Sequence, residues 1–334
     1  MGSGGEKERK AMMEKRLPGV PLPVSPVSLG TAQFGDSLGE KEACELLDVY
    51  TERGGNLLDT ANCYGRWLPH GENVSEQILG RWLKQHGNRN GLVISTKGGH
   101  PPFDAMTASR LHEKELRYDL ESSLRALGTD HVDLYWLHRD DPTLPVEELL
   151  GLLEQFRREG KLLSYGVSNW TTERVRQAAK AAAAHGYAGF CGVQNQWSLA
   201  RADHDKLVDP TLVCMDQPLY DLLKEHPDTL CTMAFSAMGK GYFTKAAAGT
   251  LRDGALREYR CALNDRRLDA LREISGTHGV PIAALVLAWM AGKPFPAVPI
   301  AAVSGMNQLL ELTQALDCSL SADEIVLLDA GEEY

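Results

Sequence analysis

Apolar residues along this chain follow two alternating rhythms. Short apolar runs, β-rich in composition, occur near Val27–Leu29, Asn56–Asp59, Leu92–Thr96, Val132–Leu137, Ser164–Val167, Phe190–Gln194, Leu230–Phe235 and Ala297–Ala301. Each has the length of a strand. Between them lie longer amphipathic segments with helical spacing, near Glu40–Gly54, Asn73–Gln85, Leu111–Leu127, Pro145–Glu159, Thr171–Ala184, Pro218–Glu225, Arg266–His278 and Pro281–Trp289. Two more follow at Gln308–Ala315 and Ala322–Ala330. Start and stop signals agree with these spans. Thr171-Thr172-Glu173 opens one helix, Ser321-Ala322-Asp323-Glu324 reads as a capping box, and Gly54-Gly55 and Gly128 end others.

Eight strands alternating with helices predict a parallel sheet. A closed barrel and an open doubly wound sheet share that pattern. The count of eight favours the barrel. So does the absence of a G-x-G-x-x-G after the first strand, which a dinucleotide-binding open sheet would carry. The expectation is therefore an α/β chain forming one (β/α)8 TIM barrel over residues 16–334, preceded by a disordered or tag-like tail over residues 1–15. A length of 334 residues suits one such unit. The stretch Thr244–Arg260 looks long and irregular and is expected to be a mobile loop after the seventh strand.

Composition narrows the function classes. With 43% apolar residues the chain can bury a large core. The most apolar stretch, Ile282–Met290, is far shorter than the roughly 18 residues that span a bilayer and reads as a core helix. The start at Met1 lacks a signal-peptide pattern. A net charge of −10 argues against nucleic acid or an anionic membrane as main partner. The seven cysteines are scattered and form no C-x-x-C, so neither a disulfide framework nor a metal site is expected, and a reducing cytoplasm fits best. No feature sets an oligomeric state.

Barrel enzymes carry their chemistry at the C-terminal strand ends, and here those ends are polar. They read Gly30-Thr31, Asp59-Thr60-Ala61 with Tyr64 a turn later, Lys97, His138, Ser168-Asn169, Gln194-Asn195, Phe235-Ser236 and, past the eighth strand, Ser304. Asp59, Tyr64, Lys97 and His138 form a chemical set. A carbonyl that receives hydride develops negative charge on oxygen and needs a proton donor and electrostatic stabilisation there. A lone tyrosine titrates near 10 by general reference values, too high for efficient acid–base work. An adjacent ammonium would lower that value, a carboxylate would keep the ammonium charged and in place, and a histidine would orient the carbonyl.

Four segments make a resemblance specific: Asp59-Thr60-Ala61-Asn62-Cys63-Tyr64-Gly65, Ile94-Ser95-Thr96-Lys97, Asp133-Leu134-Tyr135-Trp136-Leu137-His138 and Gly166-Val167-Ser168-Asn169. Together and in this order they resemble the aldo-keto reductase family, over roughly Val24 to Leu328. The resemblance implies Tyr64 as general acid/base, Lys97 and Asp59 tuning it, and His138 orienting substrate. It implies that Ser168, Asn169 and Gln194 hydrogen-bond a nicotinamide carboxamide while Phe235 packs on the ring. Gly30, Thr31, Ser236, Met238, Lys240 and Gly241 would approach ribose and pyrophosphate, and Ser304 and Gln308 the adenosine end. A hairpin closing the barrel bottom is also implied, with Arg16–Val27 as its source.

The adenosine end departs from the family pattern. Members that prefer NADPH carry a Lys or Arg just after the eighth strand, whereas here the segment reads Ile300-Ala301-Ala302-Val303-Ser304 and no cation occurs from Pro294 to Tyr334. In the following helix Glu311 precedes Leu312, where the family often has Asn. A phosphate needs charge-assisted donors. The cofactor is thus NAD(H) or NADP(H), with the lean to NAD(H). A cation folding in from Thr244–Arg260 would reverse that lean.

The expected activity is hydride exchange between nicotinamide and a small-molecule carbonyl or alcohol: an aldehyde, a ketone or a sugar. Phe34, Trp67, His70, His100, Trp170 and Trp197 lie just past strand ends and are the candidate pocket walls. Cys63 adjoins Tyr64, so its oxidation would affect the site. Two other classes remain: a cofactor-binding regulatory subunit with little turnover, and a metal-dependent barrel using His138, Asp140 and Asp141. Asp140 and Asp141 otherwise read as a solvated loop start.

Overall fold

The computed structural model describes residues 14–331 apart from His70, Val208 and Pro210, with only the backbone of His204. Most of the 1–15 tail and the position of His70 therefore lie outside the described residues.

Eight parallel strands close into one barrel in sequence order. They are β1 (Ser28–Gly30), β2 (Leu57–Asp59), β3 (Val93–Gly98), β4 (Val132–Leu137), β5 (Leu162–Ser168), β6 (Gly192–Gln194), β7 (Cys231–Ala234) and β8 (Ala297–Ala301). The ring closes where Ser28 and Leu29 of β1 pair with Ile300 and Ala301 of β8. The surrounding helices are α1 (Glu40–Glu52), α2 (Val74–His86), α3 (Glu113–Leu127), α4 (Val146–Arg158), α5 (Thr172–His185), α6 (Gln217–Glu225), α7 (Tyr242–Ala247), α8 (Asp253–Tyr259), α9 (Ala262–His278), α10 (Ile282–Ala291), α11 (Met306–Thr313) and α12 (Ala322–Asp329). Nearly every strand residue is buried, as strands covered on both faces must be. The expected caps form: Thr171 accepts the Arg174 N–H, and Ser321 and Glu324 make the reciprocal box.

The core divides along the strand alternation. Leu58, Ile94, Tyr135, Leu137 and Ala234 face the helices and join the large outer core. Leu57, Val93, Leu134, Trp136, Met233 and Val298 face inward and fill the lower barrel. Gly166 is required beside them, because a Cβ there would lie 2.4 Å from the Trp136 ring. The barrel floor is closed from below by Leu17, Val20 and Val24, which belong to the same inner cluster. These sit on the expected hairpin, where Lys15 and Val24 exchange backbone hydrogen bonds of 2.8 Å each way. Lys15 therefore belongs to the hairpin and not to the tail. Gly19 makes its turn with φ +72°, a left-handed backbone that side chains resist.

One expectation is corrected. The 244–260 segment is not an irregular loop: it contributes most of α7 and all of α8, with Ala255, Glu258 and Tyr259 buried. Its glycines and charges hid those anchors. α10 is buried along almost its whole length, as its composition predicted. Among the described residues, no single helix is long and apolar enough to cross a membrane.

Candidate active site

The alternation that packs the lower barrel also aims the polar strand ends. Two residues above each inward apolar side chain the chain places an inward polar one: Asp59 above Leu57, Ser95 and Lys97 above Val93, and His138 above Trp136. Asp59 and Lys97 are 1% and 2% exposed, so their charges must answer each other. The Lys97 Nζ donates to Asp59 Oδ2 at 2.5 Å, to the Thr60 carbonyl at 2.7 Å and to the Tyr64 hydroxyl at 3.1 Å. Asp59 Oδ1 accepts from Ser95 Oγ at 2.8 Å and from Gln194 Nε2 at 3.0 Å. Trp136 Nε1 donates in turn to Ser95 Oγ at 2.8 Å. A chain of hydrogen bonds thus runs from the barrel interior to the Tyr64 oxygen.

Burial disfavours the Lys97 ammonium, but Asp59 and Tyr64 beside it prevail and hold the amine above its usual range. Tyr64 differs from expectation. Burial pushes its hydroxyl above the ordinary tyrosine value, and the opposing pull of Lys97 is the smaller effect. The resting phenol therefore keeps its proton. His138 is pushed well below the usual histidine range by burial, then by His100 and Lys97, so its imidazole is neutral. Its ring lies 6.2 Å from the Tyr64 ring, edge to face.

The loop carrying Tyr64 is pinned from behind. Asn62 Nδ2 donates to the Asp119 carbonyl and to the hydroxyls of Ser122 and Ser123. The buried Asp119 carboxylate accepts from Arg110 at 2.5 Å, Arg66 at 3.2 Å and the Gly99 N–H at 2.9 Å. Glu76 on α2 backs β3, accepting from Thr96 at 2.5 Å and Asn73 at 2.6 Å, and its burial raises its pKa. Sequence reading missed Ser95, Trp136, Glu76 and Asp119. The inward register two places before Lys97 and His138 would have found Ser95 and Trp136; Glu76 and Asp119 carry no local signal.

The expected cofactor residues ring the same mouth. Ser168 Oγ donates to the Gln194 carbonyl at 2.7 Å, and Asn169 Nδ2 donates to Ser168 Oγ at 3.1 Å and to the His138 carbonyl at 3.3 Å. Gln194 Oε1 is buried without a hydrogen-bond partner, as is Asn195 Oδ1. A buried acceptor left open at a site of this kind suits an amide donor from outside the chain. Asn169, Ser236 and Lys240 all adopt left-handed backbone, with φ of 60°, 54° and 56°. Such strain concentrates where a ligand is held. Phe235 and Met238 are half-buried and Ser236 is exposed. Lys240 is turned toward Glu258 on α8, Nζ to Oε1 2.6 Å, with Gly241 following at φ +72°. Gly30 is buried, and the Thr31 hydroxyl is bonded to Ser75 at 2.7 Å. Ser304 and Gln308 are exposed at the start of α11, where the Ser304 N–H donates to Gln308 Oε1 at 2.8 Å.

The candidate walls separate into two groups. Trp67 is 46% exposed and meets Phe103 edge to face at 5.8 Å, while Phe103 packs on His100 at 4.8 Å and His100 on His138 at 4.7 Å. These form an aromatic ridge leading to the mouth, and Phe103 was not foreseen. Phe34 and Trp170, at 1% and 0% exposure, are packed into the outer core, Trp170 beneath the Arg174 guanidinium. Trp197 packs with Trp289 and Phe295, and also borders a cavity of about 550 Å³ beside α8. A second groove, about 610 Å³ between α2 and α3, holds no strand-end residue, so convergence of polar groups rather than size marks the site.

Asp140 and Asp141 are partly exposed and begin the loop after β4. Asp140 is held by Arg174 at 3.1 Å and Asp141 accepts from the Thr143 hydroxyl at 2.6 Å. Neither is arranged with His138 around an ion. Burial pushes the Cys63 thiol up to about 12, which makes it a poor target for oxidation.

Residues 26–333 match the sequence profile described as the Aldo/keto reductase family. Among curated proteins, the norsolorinic acid reductase stcV of Emericella nidulans is 30% identical, covering 90% of this chain and 76% of its own. Protein tas of Escherichia coli is 28% identical over 96% of this chain and 97% of its own. A putative aryl-alcohol dehydrogenase, AAD14 of Saccharomyces cerevisiae, is 27% identical over 92% and 83%.

Proposed function

The chain belongs to the aldo/keto reductase family, and from that premise we propose that it exchanges hydride between NAD(H) and an aryl carbonyl or aryl alcohol, with Tyr64 as proton donor and acceptor. The observation that carries this reading is the buried Lys97 ammonium bonded at once to Asp59 and to the Tyr64 hydroxyl. When bound, the reduced nicotinamide would supply the hydride. Gln194 Oε1, Ser168 and Asn169 would hold its carboxamide, Phe235 would cover the ring, and Gly30, Thr31, Ser236, Met238, Lys240 and Gly241 would line the ribose and pyrophosphate.

Tyr64 carries the proton of a raised-pKa phenol and gives it to the carbonyl oxygen as negative charge grows there. Lys97 stabilises the phenolate left behind, and Asp59 keeps Lys97 charged. Neutral His138 hydrogen-bonds the same oxygen and fixes its direction. In the reverse direction the phenolate form of Tyr64, held by Lys97, takes the alcohol proton. The aromatic ridge of Trp67, Phe103 and His100 supports a flat, aromatic substrate more than a sugar. One relative is named for aryl alcohols.

Two observations support NAD(H) over the family's more usual NADP(H). No Lys or Arg follows Lys293, so the segment carrying Ser304 and Gln308 supplies no cation of its own. In the segment after the seventh strand, Lys240 and Arg257 are turned to Glu258. All seven cysteines are free thiols, which supports a reducing cytoplasmic setting.

The test is a parallel titration with NADH and NADPH, followed by quenching of tryptophan fluorescence. The proposal expects NADH to bind at least about tenfold tighter, the equivalent of about 1.4 kcal/mol. Equal or tighter NADPH binding overturns the NAD(H) assignment, binding of neither overturns the nicotinamide reading, and tight binding without turnover of any carbonyl points to a regulatory subunit.

A further inference from the structure

We propose that Cys63, His100 and His138 form a binding site for one Zn²⁺ ion at the barrel mouth, and that filling it suppresses turnover. The scattered cysteines give no hint of this in sequence. The three residues come from separate segments, the loop after β2, the loop after β3 and the end of β4, and only the barrel brings them together. Each offers one donor atom, and all three donors lie within 4.8 Å of one another. Cys63 Sγ is 3.6 Å from His138 Nδ1. A tetrahedral zinc with Zn–S of about 2.3 Å and Zn–N of about 2.0–2.1 Å sets its S···N edge near about 3.5 Å. That edge already exists here without an ion.

The outer arrangement also fits. His100 Nδ1 is 2.6 Å from the Pro101 carbonyl, so that nitrogen carries the proton and Nε2 is left with its lone pair. A backbone carbonyl in that role is the usual way a metal-binding imidazole is oriented. Burial pushes His100 down to about 4 and His138 well below its usual range, so neither ring nitrogen has to shed a proton. The thiol, which burial holds up to about 12, must give up its proton to the ion, so binding strengthens as pH rises. Lys97, Arg66 and Arg139 face the cluster and oppose a dication, while Glu76 and the thiolate formed on binding favour it. One sulfur and two nitrogens select zinc over magnesium or calcium, and three protein ligands leave a fourth position for water.

Metal binding stands on these donors alone. Its effect on turnover rests on the proposed function, because His138 is the residue taken there to orient the carbonyl. The two are measured separately. Purified protein is titrated with Zn²⁺ against a chromophoric chelator, with Co²⁺ as a spectroscopic substitute. The expected result is one ion per chain and a thiolate-to-cobalt charge-transfer band. Cys63→Ala should lose the band, and both it and His100→Ala should bind zinc at least about tenfold more weakly. NADH turnover should fall with Zn²⁺, recover with chelator, and become zinc-insensitive in Cys63→Ala.

Absence of stoichiometric binding, absence of the cobalt band in the wild type, or zinc affinity unchanged in both variants overturns the site. The cobalt band needs no variant and so survives a folding defect. Zinc binding with undiminished turnover overturns only the suppression. Zinc binding in a protein that turns over no carbonyl leaves the site standing and removes the proposed function.

Discussion

Lys97→Met is the substitution on which the electrostatics of the site can be weighed. Methionine keeps an unbranched apolar chain and removes only the ammonium. In the wild type that group is 2% exposed and donates to Asp59, the Thr60 carbonyl and Tyr64 at 2.5, 2.7 and 3.1 Å. Without it, the Asp59 carboxylate stays buried and keeps only the donors Ser95 and Gln194. Removing one partner of a buried ion pair costs about 3–5 kcal/mol, and two surviving donors place this case near about 3 kcal/mol. Turnover loses both the stabilised phenolate and the alignment of Tyr64, an effect of about 10²- to 10⁴-fold for positioned acid–base groups. Urea unfolding followed by tryptophan fluorescence gives the first quantity and steady-state NADH oxidation the second. Adding Asp59→Asn removes the stranded charge, so the double variant should be more stable than Lys97→Met alone. A loss under about 1 kcal/mol in Lys97→Met, or strict additivity in the double variant, would refute the reasoning.

The other expectations are more local. Gln194→Leu removes the open acceptor at Oε1 and one donor to Asp59, and NADH binding should weaken by about 1–3 kcal/mol in the fluorescence titration. Leu17→Ala opens a cavity in the hairpin floor, where the side chain is 3% exposed; thermal or urea unfolding should show a loss of about 2–5 kcal/mol while the NADH affinity is unchanged. His100 is held neutral down to about 4 against an unfolded value of 6.5, a lowered pKa. The unfolded chain thus binds the proton first, and stability is lost as pH falls from 6.5 toward 4, by up to about 3 kcal/mol. His100→Gln should flatten that slope in urea unfolding measured across the window, and an unchanged slope would remove this account of the imidazole.

The strand centres and the order of the barrel were legible because short continuous apolar runs are dictated by burial on both faces. β4 and β8 coincide with their apolar runs, and the other strands shift at one or both ends. The start of α9 at Ala262 was missed because its first turn is polar: Asn264 is buried there and bonded to the Arg201 and Tyr259 carbonyls, contacts that no local pattern announces. α7 and α8 were missed for the same kind of reason, since Tyr259 and Glu258 are anchored by distant partners. The Asp59, Tyr64, Lys97 and His138 constellation was visible because strand ends are fixed points of a barrel. The direction in which loop aromatics face was not, so the depth of Phe34 and Trp170 in the outer core was not foreseen and Phe103 was overlooked. The net pKa of Tyr64 depends on a balance between burial and one ammonium, which only coordinates can decide.

The central claim is that Tyr64 moves the proton in a nicotinamide-dependent carbonyl reaction. The most direct measurement is NADH oxidation with an aryl aldehyde, wild type beside Tyr64→Phe, with NADH binding to both read from tryptophan quenching. Tyr64→Phe keeps the ring and removes only the hydroxyl that Lys97 meets at 3.1 Å. The account predicts unchanged NADH affinity and a fall in turnover of at least about 10²-fold. Turnover preserved within about threefold, less than the 1.4 kcal/mol that marks a factor of ten, would contradict it and place the proton with another group.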